Sequence, residues 1–299
     1  MIKVKGVTKY FDDFKVLDNI SMHVRPGTIY GLIGPNGAGK TTIINHINGA
    51  LKPQSGEIEI GGELVFENEK IKRRVLNISD DWFYFSTFTV SEMAGFYRSV
   101  YPDWSEERYE AIKKVFNLNE KRQIRKFSKG MKKQVAFWLS LSAMPDVLIL
   151  DEPLDGLDPV MRKQVLSLVI ADVADRGMTV LVSSHNLREL EDICDWVGII
   201  HEGRMILEKE LSDLKGNVHK YQLVLTPEAA EEIKKDENIL HSQNTGSIWN
   251  LIVRGGAEEY DAKFSAASPA LCERVSLTLE EVFIYELGGL GYDFKNIIV

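Results

Sequence analysis

Residues 34–41 read GPNGAGKT, and this octapeptide satisfies the pattern G-x-x-x-x-G-K-S/T. The stretch before it, TIYGLI (28–33), reads as a strand, and TTIINHING (41–49) after it reads as a helix. A strand that enters a helix through Gly34, Gly37 and Gly39 suits a phosphate-binding loop. Glycine permits the tight turn, inward-facing N–H groups cradle phosphate oxygens, and the helix N-terminus adds partial positive charge. Pro35, Asn36 and Ala38 complete the loop. Lys40 is placed to reach β- and γ-phosphates and Thr41 to bind magnesium. The competing reading is a plain Gly-rich turn between a strand and a helix.

Outward from the loop, the chain alternates short apolar strands with helical patterns. Strands are expected at 2–7, 15–25, 28–33, 56–60, 74–79, 147–151, 178–183 and 196–200. Helices are expected near 40–49, 90–100, 105–117, 129–143, 159–175 and 186–194. This order implies an α/β fold with a buried, mainly parallel sheet and a helical insert over about 80–145. Near 209–217 the composition turns polar. Beyond it YQLVLT and SIWNLIV read as strands, PEAAEEIKK and TLEEVFIYEL as helices, which implies a small C-terminal α+β domain over 216–299.

One strand carries chemistry at its end. VLILDE (147–152) is four apolar residues followed by two carboxylates. Ligands of open α/β sheets bind beyond such strand ends. Asp151 suits a magnesium site, and Glu152 could polarise an attacking water. A helix cap or solvated turn is the alternative use of these two acids.

Bulk properties narrow the classes. Over 299 residues, 36 Lys and Arg against 44 Asp and Glu leave a net charge of −8. That opposes broad nucleic-acid binding, which needs a cationic surface, so no nucleic-acid partner is expected. Cys194 and Cys272 are far apart, in no metal-like spacing, and imply a reducing compartment. The opening MIKVKGVTKY lacks a signal-peptide apolar core, and no apolar run approaches bilayer length. A soluble, cytoplasmic chain is expected, with any membrane role exerted through a partner.

Five stretches now stand in one order: GPNGAGKTT at 34–42, FSKGMKKQ at 127–134, LILDEP at 148–153, LDGLD at 154–158 and SSH at 183–185. Together they resemble the ATP-binding-cassette (ABC) ATPases over roughly residues 1–215. The resemblance implies a P-loop NTPase core with an antiparallel β subdomain and a helical subdomain, and it implies ATP and Mg2+ as ligands. Thr42 joins the phosphate loop by it. FSKGM resembles the family signature, so Ser128 and Gly130 are expected to face the γ-phosphate held by a second copy of the chain. Ser128 is also placed to cap the helix that follows. His185 resembles the switch histidine that contacts the γ-phosphate, and Asp158 the loop aspartate that couples two sites across the dimer. Phe11 sits where the family stacks an aromatic on adenine, with Tyr10 as its neighbour.

Two departures from the family pattern stand out. Lys129 replaces a signature glycine. Asp80 occupies the place of the loop glutamine that touches magnesium, with Asp81 as its fallback. The stretch after it, WFYFSTF (82–88), lies where the family's groove receives a short helix of the transmembrane subunit. Those rings either grip that helix or only pack the helical insert.

The resemblance therefore implies the ATPase subunit of a transporter, working as a homodimer on a separate transmembrane subunit at the cytoplasmic face of the membrane. The tail SLTLEEVFIYELGG (276–289) is similar to export-type cassettes, and the overall pattern resembles Gram-positive exporters of antimicrobial or amphipathic peptides, including phenol-soluble modulins. A soluble ABC ATPase acting on nucleic acid or ribosomes is the alternative. A small-molecule kinase would have no use for FSKGM, LDGLD and SSH.

Overall fold

The computed structural model describes residues 1–80, 82–216, 218–226, 229, 232–233, 235–267 and 269–289. It divides into two compact units, 1–208 and 209–299. The division falls seven residues before the boundary expected from the polar run, within a strand that runs on to Glu210.

The first unit holds two sheets. β1 (Ile2–Phe11) and β2 (Phe14–Val24) form an antiparallel hairpin, extended by β4 (Ser55–Ile60) and β5 (Glu63–Leu64) in the order β2-β1-β4-β5. The other sheet has six strands in the order β10-β9-β3-β8-β7-β6. These are β3 (Ile29–Ile33), β6 (Val75–Ile78), β7 (Val147–Asp151), β8 (Thr179–Ser184), β9 (Trp196–His201) and β10 (Arg204–Glu210). β3, β6, β7, β8 and β9 run parallel, and β3, β7 and β8 are buried along their whole length. Strands covered on both faces need no polar alternation, which is why VLIL and VLV (180–182) read as continuous apolar runs.

Helix α1 (Lys40–Ile47) starts directly from the glycine loop. Its Ile43, Ile44 and Ile47 join Leu17, Ile20, Ile58, Ile60, Ile149 and Leu181 in one core that binds both sheets to the helix. The short α2 (Glu69–Lys72) follows β5. Between β6 and β7 lie α3 (Val90–Val100), α4 (Glu106–Phe116) and α5 (Lys129–Ser142). Each has a side-chain cap: Thr89 and Glu92 form a reciprocal capping box on α3, Ser105 caps α4 and Ser128 caps α5. α5 is almost wholly buried from Lys133 to Ser142, and its Trp138 stacks on Tyr109 of α4 with ring centroids 4.8 Å apart. α6 (Pro159–Arg176) starts at Asp158 and ends on the left-handed Gly177. The helix expected over 186–194 shrinks to α7 (Leu187–Leu190), because the chain must turn to enter β9 at Trp196.

The second unit begins with α8 (Leu211–Gly216). Its antiparallel sheet has the order β12-β13-β11-β14, from β11 (Val218–Val224), β12 (Ile239–Thr245), β13 (Ile248–Arg254) and β14 (Leu271–Val275). Tyr221, Leu223, Leu251 and Val253 form a core with Tyr260 and Phe264 of α9 (Ala257–Ala266). α10 (Leu279–Gly289) buries Leu279, Val282 and Phe283. The helix expected at PEAAEEIKK lies largely outside the described residues.

Candidate active site

Parallel pairing brings the motif ends to one edge. β8 lies between β3 and β7, with Ile33 opposite Ser184 and Asp151 opposite Ser183. The glycine loop leaves β3 at Gly34, the two acids end β7, and His185 follows β8. Residues over 150 positions apart in sequence therefore meet because their strands share direction and register.

The loop needs Gly34 for space and Gly37 for its left-handed backbone at φ +81°. A Cβ on Gly34 would lie 2.3 Å from the Ile200 carbonyl of β9. Ala38 is buried, and its carbonyl accepts from Gly203 N at 3.0 Å. Pro35 accepts from Ala38 N, while Asn36 and Gly37 are exposed at the loop tip. Thr41 and Thr42 stand in the first turn of α1 and Gly39 precedes it. Lys40 is buried, and its ammonium folds over the loop to Gly34 O at 2.6 Å and Pro35 O at 3.2 Å.

Lys40 also lies 3.2 Å from Glu152 Oε1. That oxygen is buried and makes no hydrogen bond, so it is a desolvated acceptor facing a cation. Glu152 Oε2 lies 2.9 Å from His185 Nδ1. A carboxylate can only accept, which places the imidazole proton on Nδ1 and leaves Nε2 available. Glu152 has φ +49°, uncommon for a residue with a side chain. Ser183, wholly buried, reaches both acids: its hydroxyl donates to Asp151 Oδ1 at 2.6 Å and accepts from Glu152 N at 3.1 Å.

The donors suit magnesium. Thr41 offers a hydroxyl and Asp151 a buried carboxylate, hard oxygens of the kind Mg2+ prefers. Among the described residues no group of three or more His, Cys, Asp or Glu could hold a metal. An ion here would therefore share its coordination with phosphate and water, as Mg2+ does in nucleotide sites. Asp80, expected at the metal, is engaged elsewhere. Its Oδ2 accepts from Lys129 at 2.6 Å and its Oδ1 from Lys133 at 3.2 Å. The hydrogen bond from the Lys129 ammonium holds this carboxyl below the usual aspartate range; burial opposes it, and Lys133 adds to the lowering. Asp81 lies outside the described residues.

The signature segment and the 154–158 loop touch within one chain. A Cβ on Gly130 would come within 2.8 Å of Gly156 O. Ser128 caps α5 through Met131 N at 3.3 Å, and Asp158 caps α6 through Val160 N and Met161 N, both at 3.0 Å. Both motif residues thus have a local role in this chain. Phe11 and Tyr10 are each more than a third exposed, so neither is a core residue, and Lys9 lies 5.2 Å from the Phe11 ring. Phe14, which pairs with Phe11 across the hairpin, is 72% exposed and is a further aromatic on that edge. Sequence reading passed over Phe14, Ser183 and Lys133. The lysine run after FSKGM and the first half of SSH were their only traces.

The aromatic run divides. Trp82 stacks on Tyr84 and donates to Tyr97 OH at 3.1 Å, and Phe85 packs on Phe88 and Phe96. Phe83 turns outward at 65% exposure, its ring edge-on to Phe85. Asp80, Trp82, Phe83, Tyr84, Lys129 and Lys132 share one open cleft.

A glycine loop, two adjacent carboxylates and a histidine gathered at the ends of parallel strands suit the binding and hydrolysis of a nucleotide. The ABC transporter family matches residues 17–155. The bacitracin transport ATP-binding protein BcrA of Bacillus licheniformis is 37% identical over 74% of this chain and 73% of its own. The ABC transporter ATP-binding protein YtrB of Bacillus subtilis is 28% identical over 97% of this chain and 99% of its own. A solved ATP-binding subunit of an ABC transporter superposes with a TM-score of 0.67 at 31% identity, over 72% of this chain and 92% of that one. The chain belongs to the ATP-binding proteins of ABC transporters, a family of ATPases.

Proposed function

We propose that Glu152 is the residue that activates water for ATP hydrolysis in this cassette, and that two copies of the chain close around the nucleotide to drive a separate transmembrane subunit. The observation that carries the reading is the Glu152 carboxylate at the aligned strand ends, with one oxygen 3.2 Å from Lys40 and the other 2.9 Å from His185. Glu152 would accept the proton of the attacking water. Lys40 would leave Glu152 for the β- and γ-phosphates once nucleotide fills the loop. His185, its Nδ1–H held by Glu152, would present Nε2 to the γ-phosphate. Magnesium, held by Thr41 and Asp151, would neutralise phosphate charge in the transition state. Ser128 and Gly130 of the second copy would complete each site, and Phe11 would stack on the adenine.

Among the described residues no helix is long and apolar enough to cross a membrane. Action at the cytoplasmic face therefore requires a membrane partner, and the outward Phe83 with its flanking rings offers that partner an apolar grip. Likeness to a bacitracin transport protein supports export of amphipathic or antimicrobial peptides. The test is Glu152→Gln beside wild type, read by ATP turnover and by ATP-dependent dimerisation. Turnover is expected to fall about 100-fold or more while ATP still drives dimerisation. A variant that keeps turnover removes Glu152 from the chemistry, and one that never dimerises on ATP removes the two-copy site.

A further inference from the structure

Lys133 is a buried cation at the end of the FSKGMKK stretch, and nothing above gives it a role. It is 5% exposed and sits in the second turn of α5. Its ammonium donates to Glu152 O at 2.8 Å, Asp155 O at 3.1 Å and Asp80 Oδ1 at 3.2 Å. An ammonium has three protons, and here it has three acceptors. Two of them are carbonyls on either side of Pro153–Leu154, so one side chain closes the turn that follows Glu152.

The peptide groups of Glu152 are held from two sides. Ser183 Oγ binds its N–H and Lys133 binds its carbonyl. Between them the residue adopts φ +49°, a conformation that persists only where surrounding contacts over-determine it. That backbone setting decides where the carboxylate points, which is toward Lys40 and His185. A buried ammonium also needs a counter-charge, and Asp80 supplies it from the segment after β6.

We propose that Lys133 is a positioning residue for Glu152: it pins the carbonyls of Glu152 and Asp155, fixes the turn that aims the catalytic carboxylate, and is kept in place by the charge of Asp80. This gives Asp80 a role in the hydrolytic geometry that does not pass through the metal. It also ties the base of the aromatic cleft to the catalytic turn through one side chain. The inference rests on the reading of Glu152 above.

The test uses the full chain with Lys133→Met and Lys133→Arg, each alone and in the Glu152→Gln background, at saturating magnesium. Turnover is read with affinity for a fluorescent ATP analogue and amide hydrogen exchange of the nucleotide-free protein. Lys133→Met is expected to lower kcat at least about tenfold with nucleotide affinity within about twofold, because the phosphate loop is untouched. Exchange at amides 154–157 should quicken about tenfold while 34–42 stays unchanged. Lys133→Arg should recover part of kcat, and in the Glu152→Gln background Lys133→Met should add less than about twofold. Unchanged kcat overturns the proposal, as do equal losses in both backgrounds or affinity falling in step with kcat. If Lys133→Met does not fold, Asp80→Asn decides. Lower kcat with faster exchange at 154–157 supports the proposal, and wild-type values of both sink it. Glu152→Gln with wild-type turnover would fail the underlying reading and the inference with it. Loss of turnover there, with none in Lys133→Met, fails the inference alone.

Discussion

His46 is a histidine in α1 that faces the core, 2% exposed, with Nδ1 2.7 Å from Thr42 O. Burial pushes its pKa below the usual histidine value, opposed by the hydrogen bond to Thr42. An unfolded histidine titrates near pH ~6.5, so below that the unfolded chain takes up the proton first. The folded state is then favoured fully above about pH 6.5 and loses that advantage as pH falls through the lower folded value. Urea unfolding from pH 7 to 5 should show declining stability in wild type and a shallower decline in His46→Gln. Equal slopes would mean that His46 is not the titrating group; His23, also lowered by burial, would account for part of any slope that remains. At this scale the consecutive motif residues were the legible ones. Lys40, Asp151, Glu152 and His185 sit where their stretches imply. Asp80, expected at the metal from its aligned position, is paired here with two lysines of α5.

Among the elements, α5 joins site to core. Its first turn carries Ser128 and Gly130, and its buried length anchors both to the helical insert. Trp138 is the largest fully buried side chain, packed on Tyr109 with Nε1 donating to Tyr109 O at 2.9 Å. Trp138→Ala should cost about 3–5 kcal/mol, read as a lower denaturant midpoint at unchanged slope. A loss under about 1 kcal/mol would mean that α5 is not held by this contact. Long periodic helices such as α5 were readable from their pattern, and so were the apolar strands of the parallel sheet. α2 and β5 are too short to show a period, and the β12 strand alternates too weakly to be read, since three of its last four residues are exposed along with His241.

For the whole molecule, the outward ring of Phe83 is where the proposed membrane subunit would grip the ATPase. Unlike Trp82, which donates to Tyr97, Phe83 is largely solvent-facing, so removing it separates assembly from folding. Phe83→Ala is expected to weaken co-purification with the membrane subunit about tenfold or more, with ATP affinity and thermal midpoint close to wild type. Unaltered co-purification would return the aromatic run to a packing role. The order of strands, helices and motifs was written along the chain, because phosphate loops, buried strands and caps are local patterns of a few residues. Such patterns were enough to find the phosphate loop, the sheet and the pair of acids at its edge; ATP followed from the family resemblance. Folding alone decided what stands beside what. Ser183 meets Asp151 through the register of two parallel strands. Lys133 meets Asp80 and the turn after Glu152 through the docking of a helix. Such contacts span some 20 to 50 residues of sequence, and no local periodicity encodes them; they exist only once the sheet has closed and α5 has packed against it.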